Sequence, residues 1–323
     1  MNYLYGWLSI EPPVLVHSVN EDDIGRHLPE DPIIRFATYM WHSTTEQIAS
    51  CHHRARALRP AHSLHHLVND PTICRELVAR GISAHFVSAN AFLDERVFVI
   101  RPATERPFDA VYNARMAPFK RHALAANIPQ LSIIGGVVAE DDRIDYFRDL
   151  LEVLPNATFA HASDARYRSS DEVAILLNQA RVGLCLSACE GAMYASTEYL
   201  LCGLPVVSTV SKGGRDAWYD PRFTRIVPDN PAAVAAAVAE LASLRIPPEF
   251  VRSETLCRMW EHRRRFLNLG QTIYAAHHVG REFARDFYTN FTNKMGDWRV
   301  PGEVMRWYEE RKRRVATVPE DLN

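Results

Sequence analysis

The stretch EGAMYASTEYLLCGLPVVST (residues 190–209) decides how this chain is read. It lies between two apolar runs, VGLCLS (182–187) and PVVSTV (205–210), neither broken by alternating polar residues. Runs of that kind are strands buried on both faces. Between them the spacing predicts a helix opening near Gly191 and stopping at Gly203, whose missing side chain suits a left-handed C-terminal cap. Gly191, Ala192, Met193 and Tyr194 then form the helix start. The orphan N–H groups and dipole of such a start attract phosphate at the C-terminal edge of a parallel sheet. On one helix, Glu190 and Glu198 stand roughly 12 Å apart along the axis, which suits two ends of an extended ligand. The plainer reading makes Glu190 a partner of the helix dipole and Glu198 an exposed helical residue.

Outward from this stretch the pattern repeats. DAVYNA (109–114), LSIIGG (131–136) and ATFAHA (157–162) read as strands. PFKRHALAAN (118–127) reads as a helix opening, and DDRIDYFRDLLEVL (141–154) has the i, i+3/i+4 apolar spacing of a helix. Ser169 and Glu172 make a capping box for a helix to about Arg181, and Asn230–Pro231 begins another over 231–244. Alternating apolar strands and helices predict a parallel sheet covered on both faces, a Rossmann-like domain. In the first hundred residues only part of that pattern is legible. IIRFATYMW (33–41) is a strand, followed by a helix capped by Ser43 and Glu46. Asp70–Pro71 starts a second helix, stopped by Gly81, and SAHFVSA (83–89) is a strand. Residues 97–108 read as the linker. After 245 the chain is helical, rich in Arg and aromatics, and ends in RWYEERKRR (306–314).

Composition removes several function classes. The 323 residues amount to about two domains at roughly 150 residues each. With 47% hydrophobic and 24% charged residues the chain can bury a core. The net charge is −2, and residues 1–104 carry 9 cations against 11 anions, so no concentrated cationic face suits nucleic acid. No apolar run reaches the ~18–20 residues of a membrane span, and no signal-peptide pattern opens the chain. Six cysteines in so long a chain are not a disulfide framework, and the expected setting is a reducing cytoplasm. Cys185 and Cys189 read as core thiols. The histidines around Cys51, His52, His53, His62, His65 and His66 lack the paired spacing of a metal site, so no metal is expected. Of the 37 cations only Lys120, Lys212, Lys294 and Lys312 are lysines. A lysine here is a rare choice, and Arg115 and Lys120 flank a strand–helix loop at the same sheet edge, where they could neutralise a diphosphate.

Taken together, residues 109–240 resemble the donor-binding domain of the retaining nucleotide-sugar glycosyltransferases called glycosyl transferases group one. The E-x7-E signature is met by Glu190 and Glu198, the R-x4-K loop by Arg115 and Lys120, and the GG loop by Gly213–Gly214 with Asp216 after it. More faintly, ATYMWHSTTEQ (37–47) is similar to the strand-end His of the first domain, which makes His42 a sugar ligand. The resemblance implies an α/β, GT-B-like fold of two Rossmann-like domains facing a cleft, with C-terminal helices crossing back. Its expected divisions are a reduced N-terminal, acceptor-side domain (1–104), a nucleotide-sugar-binding domain (105–279) and C-terminal helices (280–323). The Gly-rich loop and first strand–helix units of the family's first domain are not readable here.

The implied activity is transfer of a sugar from a nucleotide diphosphate sugar, UDP-sugar first and GDP-sugar next, to a hydroxyl acceptor with retention. The acceptor could be a saccharide, a lipid-linked glycan or a small molecule. Arg115, Lys120 and the backbone of Gly191, Ala192, Met193 and Tyr194 would hold the diphosphate in place of a metal, so no cofactor is required. Glu198 would take the ribose, Glu190 the sugar hydroxyls and His42 the sugar's far side. Two other readings stay open: a catalytically silent protein of the same fold that binds a nucleotide sugar or a partner, and a sugar-nucleotide epimerase. In the tail, Ala284, Phe287, Tyr288 and Phe291, widened by Phe283, make a helical stripe expected to pack across the interdomain junction. Arg311, Lys312, Arg313 and Arg314 are expected to stay solvated. The competing reading makes RWYEERKRR a peripheral anchor on an anionic membrane.

Overall fold

A computed structural model describes residues 3–18, 25–101, 105–135, 143–160, 168–291, 295 and 297–316. The chain forms two compact units, Met1–Leu93 with Trp260–Asn323, and Asp94–Met259. The changeovers at 93/94 and 259/260 differ from the 104/105 and 279/280 expected from sequence. The first unit recruits the whole chain from Trp260 on, because the aromatics of that segment pack into its core.

The first unit is built on a six-stranded sheet. β1 (Tyr3–Ile10) and β2 (Pro13–Ser18) form an antiparallel hairpin that the sequence reading missed, since Gly6 and Pro12–Pro13 interrupt its apolar pattern. β2, β3 (Ile34–Thr38), β4 (Ser63–Val68) and β5 (Ala84–Phe86) follow in chain order, all parallel. Helix α1 (Thr45–Leu58) is capped one residue later than expected, by Thr44 with Gln47. The Thr44 side chain accepts from the Gln47 N–H at 3.2 Å, and the Gln47 amide oxygen accepts from the Thr44 N–H at 2.8 Å. Helix α2 (Pro71–Ala79) starts on the Asp70 cap and ends before Gly81, whose φ is +74°.

The second unit holds six parallel strands: β6 (Phe108–Asn113), β7 (Leu131–Ile134), β8 (Ala157–Phe159), β9 (Ala180–Cys185), β10 (Val206–Thr209) and β11 (Thr224–Val227). Their order is β11-β10-β9-β6-β7-β8, so the chain reverses direction across the sheet between β6 and β9. Ligands of open α/β sheets bind outside the strand C-termini at such a reversal. Helices α3 (Arg143–Val153), α4 (Ser170–Leu177) and α5 (Tyr194–Leu201) connect strands, and α6 (Pro231–Ser243) follows β11. The Ser169–Glu172 capping box and the Asn230 cap form as read, although α4 stops at Leu177 and not near Arg181. Residues 118–127 do not continue as a helix. Two 3-10 turns, Pro118–Lys120 and His122–Ala125, are separated by Arg121 in the left-handed region at φ 54°. Cys185 is a buried thiol, as expected, whereas Cys189 is exposed beyond the strand end.

Helix α7 (Pro248–Ala276) begins in the second unit and ends in the first. After it, α8 (Phe283–Asn290), β12 (Asp297–Arg299) and α9 (Pro301–Ala316) complete the first unit, with β12 pairing antiparallel to β1. Phe283 and Phe287 are buried among Phe36, Phe92 and Phe266. The stripe is narrower than its spacing suggested: Tyr288 is 49% exposed, Ala284 and Phe291 only half-buried. α9 lays Val304 and Tyr308 on β1, with the Tyr308 and Trp7 rings 4.5 Å apart and the Trp7 indole N–H donating to the Val304 carbonyl at 3.2 Å. The apolar face that a membrane anchor would need is therefore occupied. Lys312 and Arg313 are exposed, but Arg311 is not solvated as expected. It donates to the Asn290 amide oxygen at 2.6 Å and to the Trp7 carbonyl at 3.3 Å. The Arg314 side chain lies outside the described residues. Among the described residues, no helix is long and apolar enough to cross a membrane.

Candidate functional site

At the reversal between β6 and β9, four polar side chains gather from two well-separated parts of the chain. Asn113 ends β6, Lys120 follows in the turn after it, Glu190 lies beyond β9, and Glu198 sits on α5. The Lys120 ammonium and the Glu190 carboxylate form an ion pair in which the side chains are 11% and 4% exposed. A charge pair that dry is tolerable only if further hydrogen bonds satisfy it. Ser187 supplies one, its hydroxyl donating to the same Glu190 Oε1 at 2.7 Å. The backbone then fixes the turn: the Glu190 N–H donates to the Lys212 carbonyl at 3.0 Å, and the Lys212 N–H to the Ala188 carbonyl at 2.9 Å. The Lys120 ammonium also lies 5.1 Å from the centre of the Phe119 ring, within reach of its π face.

Glu198 is buried too, which removes the reading of it as an exposed helical residue. Its Oε2 accepts from the Asn113 side-chain amide at 3.0 Å, and the Asn113 backbone N–H donates to the Tyr199 hydroxyl at 2.6 Å. Gly183 makes this approach feasible, since a Cβ there would stand 2.4 Å from the Tyr199 ring. Burial pushes the Tyr199 phenol well above its ordinary pKa, so it stays a neutral hydroxyl.

The helix start differs from expectation. α5 begins at Tyr194, and Met193 before it takes a left-handed conformation at φ 45°, uncommon for a residue with a side chain. Gly191, Ala192 and Met193 are thus a buried loop and not the first helical turn. The roughly 12 Å estimate assumed one helix for both glutamates and does not apply, because only Glu198 is helical.

Two arginines that the sequence did not single out hold the strand ends. Arg215, fully buried, donates to the Ser187 carbonyl at 2.9 Å, the Ser208 hydroxyl at 2.9 Å and the Thr209 carbonyl at 2.6 Å. Arg121 donates to the Leu186 carbonyl at 2.6 Å, the Thr209 hydroxyl at 2.7 Å and the Asp229 carboxylate at 2.5 Å. Together they tie the end of β9 to the end of β10, which fixes the residues bearing Glu190. Asn113 could have been suspected as a polar residue closing an apolar strand. Nothing in the sequence marked Arg215 as buried, since arginine is normally a surface residue.

Arg115 lies in the same loop as Lys120 but is exposed, and it is not part of the Lys120–Glu190 pair. His42 is half-buried in the first unit, between β3 and α1. Gly213 takes φ 101° and leads into the short turn Gly214–Trp218, in which Asp216 accepts from the Arg215 Nε at 3.3 Å. Burial raises the Asp216 carboxyl above the usual range, against the lowering effect of Arg215. Among the described residues, no group of three or more His, Cys, Asp or Glu side chains is set to hold a metal ion.

No protein-family model matches the chain, and the search of curated proteins found no match. Solved structures do. Anabaena HepE in complex with UDP is 13% identical, with a TM-score of 0.56 over 76% of this chain and 79% of that one. HepE in complex with UDP and glucose is 15% identical, with a TM-score of 0.51 over 72% and 73%. TarM is 12% identical, with a TM-score of 0.55 over 76% of this chain and 56% of that one. At these identities the likeness establishes the fold: α/β, GT-B-like, with two Rossmann-like units.

Proposed function

We propose that the chain is a glycosyltransferase that moves a sugar from a nucleotide diphosphate sugar to a hydroxyl acceptor. The carrying observation is the meeting of Lys120, Glu190, Asn113 and Glu198 at the sheet's reversal, where ligands of this fold class bind. HepE, which shares the fold, was solved in complex with UDP, and this supports a nucleoside diphosphate as the ligand class. On this reading a UDP-sugar is the preferred donor, a GDP-sugar the next, and the anomeric configuration is retained.

Bond breaking leaves negative charge on the departing diphosphate and positive character on the sugar. Lys120, Arg115 and the backbone from Gly191 to Tyr194 provide positive potential where that negative charge develops, so the reaction runs without a divalent cation. Glu198, oriented by Asn113, accepts the ribose hydroxyls. Glu190 accepts sugar hydroxyls. The acceptor oxygen attacks the anomeric carbon from the face that the diphosphate leaves, and its proton passes to the diphosphate oxygen. Purified protein incubated with UDP- and GDP-sugars and a panel of hydroxyl acceptors tests the proposal, and release of free nucleoside diphosphate is the readout. One observation favours the silent binding protein instead: Lys120 is already neutralised by Glu190. Donor binding without transfer or hydrolysis would establish that alternative.

A further inference from the structure

The Lys120–Glu190 pair raises a question of electrostatics that the proposed roles leave open. If Lys120 binds a diphosphate and Glu190 binds sugar hydroxyls, the two side chains cannot keep one another as sole partners. In the structure each satisfies the other, in a setting where an isolated charge would be costly. Their surroundings are unequal. Glu190 has a second anchor in the Ser187 hydroxyl at 2.7 Å, and its own N–H is fixed on the Lys212 carbonyl. The Ser187 carbonyl is held in turn by Arg215 at 2.9 Å. Lys120 sits on a short turn, its carbonyl accepting from the Tyr112 hydroxyl at 2.6 Å, and its ammonium has the Phe119 ring as its other neighbour. Were the pair to open, the Ser187 and Lys212 contacts would hold Glu190, leaving the lysine head as the partner able to move.

We propose that Glu190 is a placeholder for the diphosphate: it neutralises Lys120 until a phosphate oxygen takes that position, and the exchange frees its carboxylate for the sugar. The inference rests on the glycosyltransferase reading for the sugar half and on geometry alone for the phosphate half. It has a consequence opposite in sign to ordinary ligand contacts. A side chain that only touches donor loses affinity when it is neutralised. A placeholder gains affinity, because the competing anion has gone. By linkage, phosphate on Lys120 and sugar on Glu190 favour each other's binding.

The probes are inorganic pyrophosphate and UDP, titrated calorimetrically into wild type, Glu190→Gln and Glu190→Asp, with the thermal midpoint followed with and without ligand. Glu190→Gln should bind pyrophosphate on the order of 3- to 10-fold tighter than wild type, as expected for removing a like charge beside the bound anion. Its ligand-induced rise in midpoint should also exceed that of wild type, since the unliganded variant leaves Lys120 uncompensated. Should that variant be too unstable to titrate, Glu190→Asp, with its shorter reach, should change affinity in the same direction by less. Equal or weaker pyrophosphate binding in the variants, or no binding by any of the three proteins, overturns the placeholder. If the tightening occurs but no nucleotide sugar is turned over, the inference stands and the glycosyltransferase reading falls.

Discussion

The two units bury different mixtures of polar groups. In the second, the buried groups at the strand ends are permanent charges: Lys120 with Glu190, and Arg215 wrapped by the oxygens of Ser187, Ser208 and Thr209. The first also buries permanent charges, Arg35 and Arg263, but adds a set of buried or half-buried imidazoles. His66 bridges the Tyr39 hydroxyl at 2.6 Å and His52 at 3.0 Å, and His65 lies between the Ser63 and Ser83 hydroxyls, both at 2.9 Å. His262 accepts from the Ser88 N–H at 3.2 Å, which requires a neutral ring. Burial, followed by nearby positive groups, lowers His66 to about 3 and His65 and His262 to about 4. A permanent charge kept dry is ready to meet an oppositely charged ligand, whereas a neutral imidazole only completes a core. The buried imidazoles concentrate pH sensitivity in the first unit.

The largest expected effect tests how far the first unit depends on its distant segment. Deleting residues 280–323 removes β12 from β1 and strips Phe283, Phe287 and Tyr308 from the core. The truncated chain should be insoluble or lose hydrogen-exchange protection across residues 3–93, and a truncation of full stability would refute that dependence.

Acid comes next. The folded-state values lie below the ordinary 6.5, so the native state binds fewer protons than the unfolded chain. The stabilisation is complete above pH 6.5 and falls as the pH drops towards 4. At pH 5 the loss is about 2 kcal/mol for each histidine that stays fully excluded from protonation. In the second unit His122 is the counterpart, lowered to about 4. Hydrogen exchange between pH 8 and 5 should therefore show the first unit opening earlier. Equal loss in both units would break the contrast.

Arg215→Met should destabilise the second unit by about 3 kcal/mol, because carbonyls of Ser187 and Thr209 lose buried donors. Denaturant midpoints measure this. Lys120→Ala should weaken UDP binding by about 1.5–3 kcal/mol, and unchanged affinity would remove Lys120 from the phosphate site. The smallest expected effect is none at all: turnover should survive excess EDTA. Complete loss that Mn²⁺ or Mg²⁺ restores would falsify the metal-free mechanism.

The second unit was legible because it folds from one uninterrupted segment, Asp94–Met259, with its strands and caps in local order. Ser169, Asn230 and Gly203 each act within a few residues of themselves, and each ends or begins an element where the sequence indicates. The first unit draws on both ends of the chain. Its β12–β1 pairing joins residues nearly 300 positions apart, and no local pattern reports such a partner. The β1–β2 hairpin was missed for a different reason, since a strand with Gly6 inside it and prolines at its turn carries weak alternation.

By itself the sequence determined the type of most elements in residues 108–243, missing β11 and the turns at 118–125 and 214–218, together with the parallel sheet and the four side chains Arg115, Lys120, Glu190 and Glu198 as candidates. Local spacing carries that information, because helix caps and strand burial depend on neighbours within about one turn. Tertiary structure alone decided which of these residues meet. Lys120 reaches Glu190 across 70 positions and Asn113 reaches Glu198 across 85, because the strand order sets β6 beside β9. It also placed Arg215 in the interior, where carbonyls from two strand ends supply the acceptors that make a buried guanidinium tolerable.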